Sequence, residues 1–204
     1  TVGLFLILIG CGALFVYFRR RFRPALNLGF FSISVGLFTV LHTDIASMLI
    51  APSYFSWYLT HIPLYAFPIG LWLFLDDITD GGCPVIQRLA QLQLIYSTGA
   101  LIADIFDYYP MYMTTPYMVL LSVSILIAVA ITFRHLHRQK SEPDADIVEA
   151  KLLGLGFGLL MLSGALDLLA GFQIIPFLAP SFSFGVLAFV ITLAIILERR
   201  FSLA

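Results

Sequence analysis

The sequence predicts an all-α, polytopic membrane protein: a bundle of seven transmembrane helices with its N-terminus outside and its C-terminus in the cytoplasm. Three observations predict it. Of the 204 residues, 60% are hydrophobic and only 11% are charged, against about 25% charged in soluble domains. A water-soluble fold of this size could not hide so much apolar surface, so lipid must serve as the solvent. Seven apolar stretches each approach the roughly 20 residues that a spanning helix needs. All eleven Lys and Arg residues then fall on one side of the topology, as the positive-inside rule asks of cytoplasmic loops.

The first stretch, 2–18, runs into Arg19, Arg20, Arg21 and Arg23. A signal peptide carries its charge ahead of the apolar run, so this stretch reads as a span. Pro24 precedes the second, 26–49, and Pro52 and Ser53 make an outer turn. The third, 55–75, contains Pro63 and Pro68, which predict a kink. An acidic inner loop follows, with Asp76, Asp77 and the run Asp80, Gly81, Gly82, Cys83, Pro84. Arg88 opens the fourth, 88–107, and Pro110 and Pro116 bracket an outer loop. The fifth, 115–136, runs into Arg134, Arg138 and Lys140. The segment from Arg138 to Asp146 is the one solvated loop. Lys151 lies just inside the sixth, 149–171; Pro176 and Pro180 bracket the last outer turn, and the seventh, 180–198, exits on Arg199 and Arg200.

Residues 1–204 thus read as a single seven-helix domain in the lipid bilayer. The start, without Met and directly on an apolar run, suggests that further domains flank it. The formal net charge of −1 gives no footprint for nucleic acid. Cys11, inside the first span, and Cys83, in an inner loop, are too far apart in the topology for a mutual disulfide. Gly154 and Gly158 form a GxxxG pair, and Ser32 with Gly36 and Ser181 with Gly185 are small-xxx-small pairs. Such pairs fit close packing within the bundle or a seam between two copies.

Ionisable residues inside a span are costly and mark either function or an internal pair. Asp104 and Asp167 each lie 16 residues beyond a basic residue, Arg88 and Lys151, which is about 24 Å along a helix. His42, Asp44, His61 and Asp107 fall in the same outer third, where no Lys or Arg balances them. One reading is an outward-facing cavity for a cation, a proton or a small polar ligand. The other is that these groups touch the interface or bond between helices, with Asp167, flanked by Leu166, Leu168 and Leu169, the strongest internal candidate. No HxxxH or HExxH spacing supports a metal site, and no cofactor is expected. Aromatic residues at Tyr54, Phe55, Trp57 and Tyr58, and at Tyr108, Tyr109, Tyr112 and Tyr117, fit an interfacial belt or a ligand-binding rim. His135 and His137 read as part of a solvated basic helix end.

Catalysis within these spans finds little support. The seventh span has no lysine for a retinal Schiff base. No Gly-x-Ser-x-Gly run suits a rhomboid-type protease, and neither Asp104 nor Asp167 sits in a Tyr-Asp or Gly-x-Gly-Asp pair. The histidine pair that a ceramidase-type zinc hydrolase wants on the last span is missing. A transporter or channel would use the outer Asp/His cluster, but broken helices in matching halves are represented by the third span alone.

One series is more specific. Residues 160–204 place Asp167 near the end of span six, then a short Ile-Pro turn, a Gly in span seven and the exit Arg199-Arg200-Phe201. The first 45 residues give an apolar span, an Arg-rich turn and LNLGFFSISVGLFTVL. This pattern resembles the membrane part of bacterial seven-transmembrane receptors with diverse intracellular signalling modules (7TMR-DISM). The resemblance implies a sensory receptor of the bacterial inner membrane, forming a homodimer. An extracellular sensor domain or ligand would act before span one, and a kinase, cyclase or phosphatase output would follow span seven. It carries over Asp167, Arg199, Arg200 and Phe201 as pattern positions and no catalytic residue. The expected function is therefore a receptor core that relays a signal by helix rearrangement.

Overall fold

The computed structural model describes residues 2–42, 54–79, 83–105, 145–171 and 181–203, with helical residues 120, 123–127, 130–131 and 134 between them. Among the described residues six helices have defined bounds: α1 (Val2–Arg20), α2 (Arg23–Leu41), α3 (Tyr54–Ile78), α4 (Pro84–Ile105), α5 (Ala145–Gly171) and α6 (Ser181–Leu203). Of these, α1, α2 and α6 are long and apolar enough to cross a membrane.

α1 and α2 form a tight hairpin. Arg21 turns the chain in the left-handed region, φ 56°, and its N–H bonds back to the Tyr17 carbonyl at 2.6 Å. This is the conformation that closes many helix C-termini, although glycine usually supplies it. Pro24, in the first turn of α2, sits where no intrahelical donor is required. Glycines then let the backbones meet. A Cβ on Gly3 would lie 2.7 Å from the Gly36 carbonyl, and one on Gly10 would lie 2.9 Å from that of Gly29. Lipid is as apolar as leucine, so this close approach, rather than burial from water, holds the pair.

α2 is central. It packs against α1, α3 and α6, while α4 leans on α3 and α5 on α6. Gly70 admits α3 to α2, since a Cβ there would fall 2.8 Å from the Phe31 backbone nitrogen. The Phe31 ring meets Phe67 of α3 and Phe189 of α6, with centroids 6.1 and 6.3 Å away. Around it the core takes Leu28 and Val35 from α2, Leu71, Trp72 and Leu75 from α3, and Val190 and Leu193 from α6. The opposite face of α1 is apolar and uncovered at Leu4, Leu8, Phe15 and Phe18, as expected of a surface that lipid solvates.

Several boundaries differ from the sequence expectation. α2 ends at Leu41, with His42 as its C-cap; the rest of the predicted second span, 43–49, lies outside the described residues. Thr39 returns its hydroxyl to the Val35 carbonyl at 2.8 Å, which competes with the helical ladder, and the polar His-Thr-Asp sequence follows. α5 begins at Ala145 and absorbs the end of the loop predicted over 138–146. α6 continues through Arg199 and Arg200 to Leu203, so the predicted exit is still helical. The predicted turn residues at 52–53, 80–82, 110–116 and 176–180, the aromatic residues at 108–117, and His135, His137, Arg138 and Lys140 lie outside the described residues.

Candidate functional site

α5 and α6 run antiparallel and meet along one face. On α5 that face carries Glu149, Gly156, Ser163 and Asp167, spaced seven, seven and four apart, so one helical stripe. On α6 it carries Ser181, Gly185, Thr192 and Arg200. A Cβ on Gly156 would lie 2.7 Å from Thr192 Oγ1, and one on Gly185 would lie 2.7 Å from Ser163 Cβ. The two hydroxyls turn back onto their own helices: Ser163 donates to the Leu160 carbonyl and Thr192 to the Ala188 carbonyl, both at 2.8 Å. The middle of the seam is therefore close-packed and internally satisfied.

One end of the seam is closed by Asp167. Its Oδ1 accepts the Ser181 N–H at 2.8 Å, and its Oδ2 accepts the Phe182 N–H at 2.9 Å. The Ser181 hydroxyl also contacts Oδ1 and lies 3.1 Å from the Ser163 carbonyl. That hydroxyl has one proton for two acceptors, and the carboxylate is the stronger of them. A helix leaves its first N–H groups without internal partners. Here the neighbouring helix supplies the anion that caps them, where the helix dipole favours negative charge.

The other end is closed by an ion pair. Arg200 Nε and Nη2 both reach Glu149 Oε2 at 2.9 Å. The Glu149 side chain is only 4% exposed and that of Arg200 21%. Beside it the Phe201 ring stacks edge-on with Phe22 of the α1–α2 turn, centroids 6.1 Å apart. The Arg20 guanidinium sits over the same ring at 4.7 Å, a cation–π arrangement. α6 is thus fastened to α5 at both ends and to the α1–α2 turn at its basic end.

The remaining helices are linked at that level too. Asn27 of α2 donates to Asp77 Oδ2 at 2.7 Å, and Gln87 of α4 donates to Asp76 Oδ1 at 3.2 Å. Thr79 closes α3 by donating to the Leu75 and Asp76 carbonyls. Cys83, before α4, is buried. Burial pushes its thiol pKa up, Thr79 opposes this through a hydrogen bond, and the Asp76 charge adds to it. Deeper in the pair, Ser97 of α4 donates to the Tyr65 carbonyl at 3.1 Å and accepts from Gln93 at 3.3 Å. Tyr65 lies three residues before Pro68, where a proline ring loosens the helical ladder and side chains of neighbouring helices supply replacement partners.

The sequence candidates separate accordingly. Asp167 bonds to α6 and, among the described residues, to no other member of the predicted polar cluster. His42 caps α2, its N–H on the Phe38 carbonyl at 3.0 Å and its ring stacked on Phe38 at 4.9 Å. His61 is half-buried in α3. Asp104 belongs to α4, while Asp44 and Asp107 lie outside the described residues. Among the described residues, no three His, Cys, Asp or Glu side chains gather as a metal site. Arg200 and Phe201 both make defined contacts, and Arg199 lies beside them on α6. Sequence reasoning missed Glu149. Its signal was a carboxylate at the margin of an apolar run, facing a helix whose last turns carry the arginines.

No curated protein and no solved structure matches the chain. The family model described as 7TM diverse intracellular signalling matches residues 1–200. The chain therefore belongs to the 7TMR-DISM family of membrane domains linked to intracellular signalling.

Proposed function

We propose that this chain is the receptor core of a sensory protein in the bacterial inner membrane, relaying an extracytoplasmic signal to a cytoplasmic kinase, cyclase or phosphatase. In this reading residues 1–204 form one membrane domain of seven spans, N-terminus outside and C-terminus inside. The core itself performs no chemistry. Its partners are the bilayer, an external ligand or sensor domain, and a second copy of the chain.

The observation that carries the reading is the double anchorage of α6. Asp167 holds the Ser181 end, where the signal would arrive. Glu149 and the Phe22–Phe201 contact hold the basic end, from which an output would be driven. Because Gly156 and Gly185 lock the seam between them, α5 and α6 move together. A change at the Ser181 end must then either repack Phe201 against the α1–α2 turn or break the Arg200 pair. Packed interfaces of this kind have discrete arrangements, and a ligand shifts their populations.

The test is the output of the complete receptor in its native membrane, comparing Asp167→Asn and Ser181→Ala with wild type at equal membrane levels. The reading expects altered basal or stimulated output from both variants. Wild-type output from both overturns it. Solute flux into liposomes holding the purified protein separates this reading from a transporter or channel, since a receptor core passes no solute.

A further inference from the structure

Two arginine groups that are far apart in sequence share one end of the bundle. Arg19, Arg20, Arg21 and Arg23 lie in the α1–α2 turn, and Arg199 and Arg200 in the last turns of α6. Phe201 joins them, stacked on Phe22 and covered by Arg20. Arg200 is engaged by Glu149. Among the described residues, Arg19, Arg20, Arg21, Arg23 and Arg199 have no ion pair. The neighbouring Asp77 is already held by Asn27 of α2. Arg19, Arg20, Arg21 and Arg23 are exposed. Orientation alone requires a basic loop; it does not require the α1–α2 turn and the end of α6 to meet at an aromatic ring.

A second feature adjoins this cluster. Leu4, Leu8, Cys11, Phe15 and Phe18 recur at intervals of four, three, four and three, so they share one face of α1. That face is uncovered, with Leu8, Phe15 and Phe18 each about two-thirds exposed: 66%, 67% and 69%. Arg19 follows directly at its basic end. A long apolar track ending at a group of guanidiniums that have no ion pair among the described residues matches one ligand chemistry, a phosphodiester carried on acyl chains.

We infer that the α1–α2 turn and the end of α6 form a selective site for an anionic phospholipid, its phosphate on Arg19, Arg21, Arg23 and Arg199 and its acyl chain along the Leu8–Phe15–Phe18 face of α1. Arginine suits the role because its planar fork pairs with phosphate oxygens. Arg20 remains on Phe201, so the occupied site abuts the helix end that the receptor reading assigns to output. The inference rests on that reading only in taking α1, α2 and α6 to cross the bilayer.

The test uses the purified protein in nanodiscs of phosphatidylcholine containing a graded fraction of phosphatidylglycerol. Spin-labelled versions of the two lipids report relative affinity through their motionally restricted fractions. The wild type should prefer the anionic lipid, with the preference weakening as salt rises. Each of Arg19→Gln, Arg21→Gln and Arg23→Gln should lower the preference by about fivefold, the equivalent of ~1 kcal/mol per basic residue near an anionic surface. Arg88→Gln, on α4, should leave it unchanged. Equal affinity for both lipids, or an equal loss from Arg88→Gln, overturns the inference. So does displacement of the labelled lipid by millimolar inorganic phosphate, which would mark a site for free phosphate. Arg19→Lys, Arg21→Lys and Arg23→Lys should each retain most of the preference, which guards against misfolding of the Arg→Gln variants. Failure of the protein to incorporate as an integral component would strike the spanning reading instead, and is scored separately by alkaline extraction.

Discussion

Glu149 and Arg200, 51 positions apart in the chain, meet at 2.9 Å where α5 begins and α6 ends. Both arginine nitrogens converge on a single carboxylate oxygen, so the pair lacks the fork-on-fork geometry of the strongest carboxylate contacts. Its weight lies in burial. Glu149 is nearly inaccessible while Arg200 retains an outlet, and the two halves of the pair are therefore not equivalent.

This inequality predicts an asymmetric response to mutation. Arg200→Gln leaves a buried carboxylate without its counter-charge, a loss of ~3 kcal/mol in buried pairs. Glu149→Gln leaves an arginine that reaches solvent, and should cost clearly less. The double variant should recover part of the Arg200→Gln loss, because neither charge then remains unmatched. Thermal unfolding in detergent, with all three variants compared to wild type, checks the order. Equal losses from the two single changes would refute it.

At the other end of the seam, Asp167 offers two acceptors to two backbone N–H groups. Asn offers one acceptor and an amide that is itself a donor, so Asp167→Asn should leave one of those N–H groups unpaired and remove the charge that favours the helix N-terminus. The expected cost is about 1–2 kcal/mol, too small to prevent folding. Faster hydrogen exchange at Ser181 and Phe182, with the middle of α6 still protected, is the expected signature. Unchanged exchange at both amides would remove Asp167 from the capping role.

How much of this was legible in the sequence follows from what hydropathy can report. It marked the apolar helices, because lipid-facing and buried positions are alike apolar. For the same reason it could not say which face of a helix packs. The Gly154–Gly158 pair stood out by spacing, yet a Cβ on Gly158 would meet nothing within 4 Å among the described residues, while one on Gly156 would collide with Thr192. Asp167 was conspicuous as a carboxylate among leucines, and it bonds to the backbone of α6. Its partners were not readable, since they are backbone groups of a helix start. Glu149 was passed over because its partner lies 51 residues away and nothing local announces it.

The glycine contrast is itself testable. Gly156→Ala forces its new methyl against Thr192 Oγ1 and Cβ, both under 3 Å, and should destabilise the α5–α6 seam by about 1–3 kcal/mol. Gly158→Ala adds a methyl into open space and should be neutral or stabilising by up to about 1 kcal/mol, the helix-propensity gain. Melting temperatures of the two variants measured side by side decide the matter. If Gly158→Ala is the more damaging, that face of α5 is covered in the working protein, and a change in oligomeric state should accompany the loss.

Cys83 gives a chemical probe of the α3–α4 junction. The thiolate is the reactive form, and burial together with the Asp76 charge raises its pKa while Thr79 only partly offsets them. The thiol thus stays protonated to higher pH than an ordinary cysteine, and its alkylation by a soluble maleimide should be slow at neutral pH. Its rate should keep climbing with pH after that of a free model thiol has levelled off. Asp76→Asn removes the like charge and should move the rate profile to lower pH, although it also weakens the Gln87 contact at 3.2 Å. Cys11, on the lipid-facing side of α1, should escape soluble reagents, so Cys11→Ala should leave the measured rate unaltered. A Cys83 profile indistinguishable from the model thiol would mean that the junction is open to water.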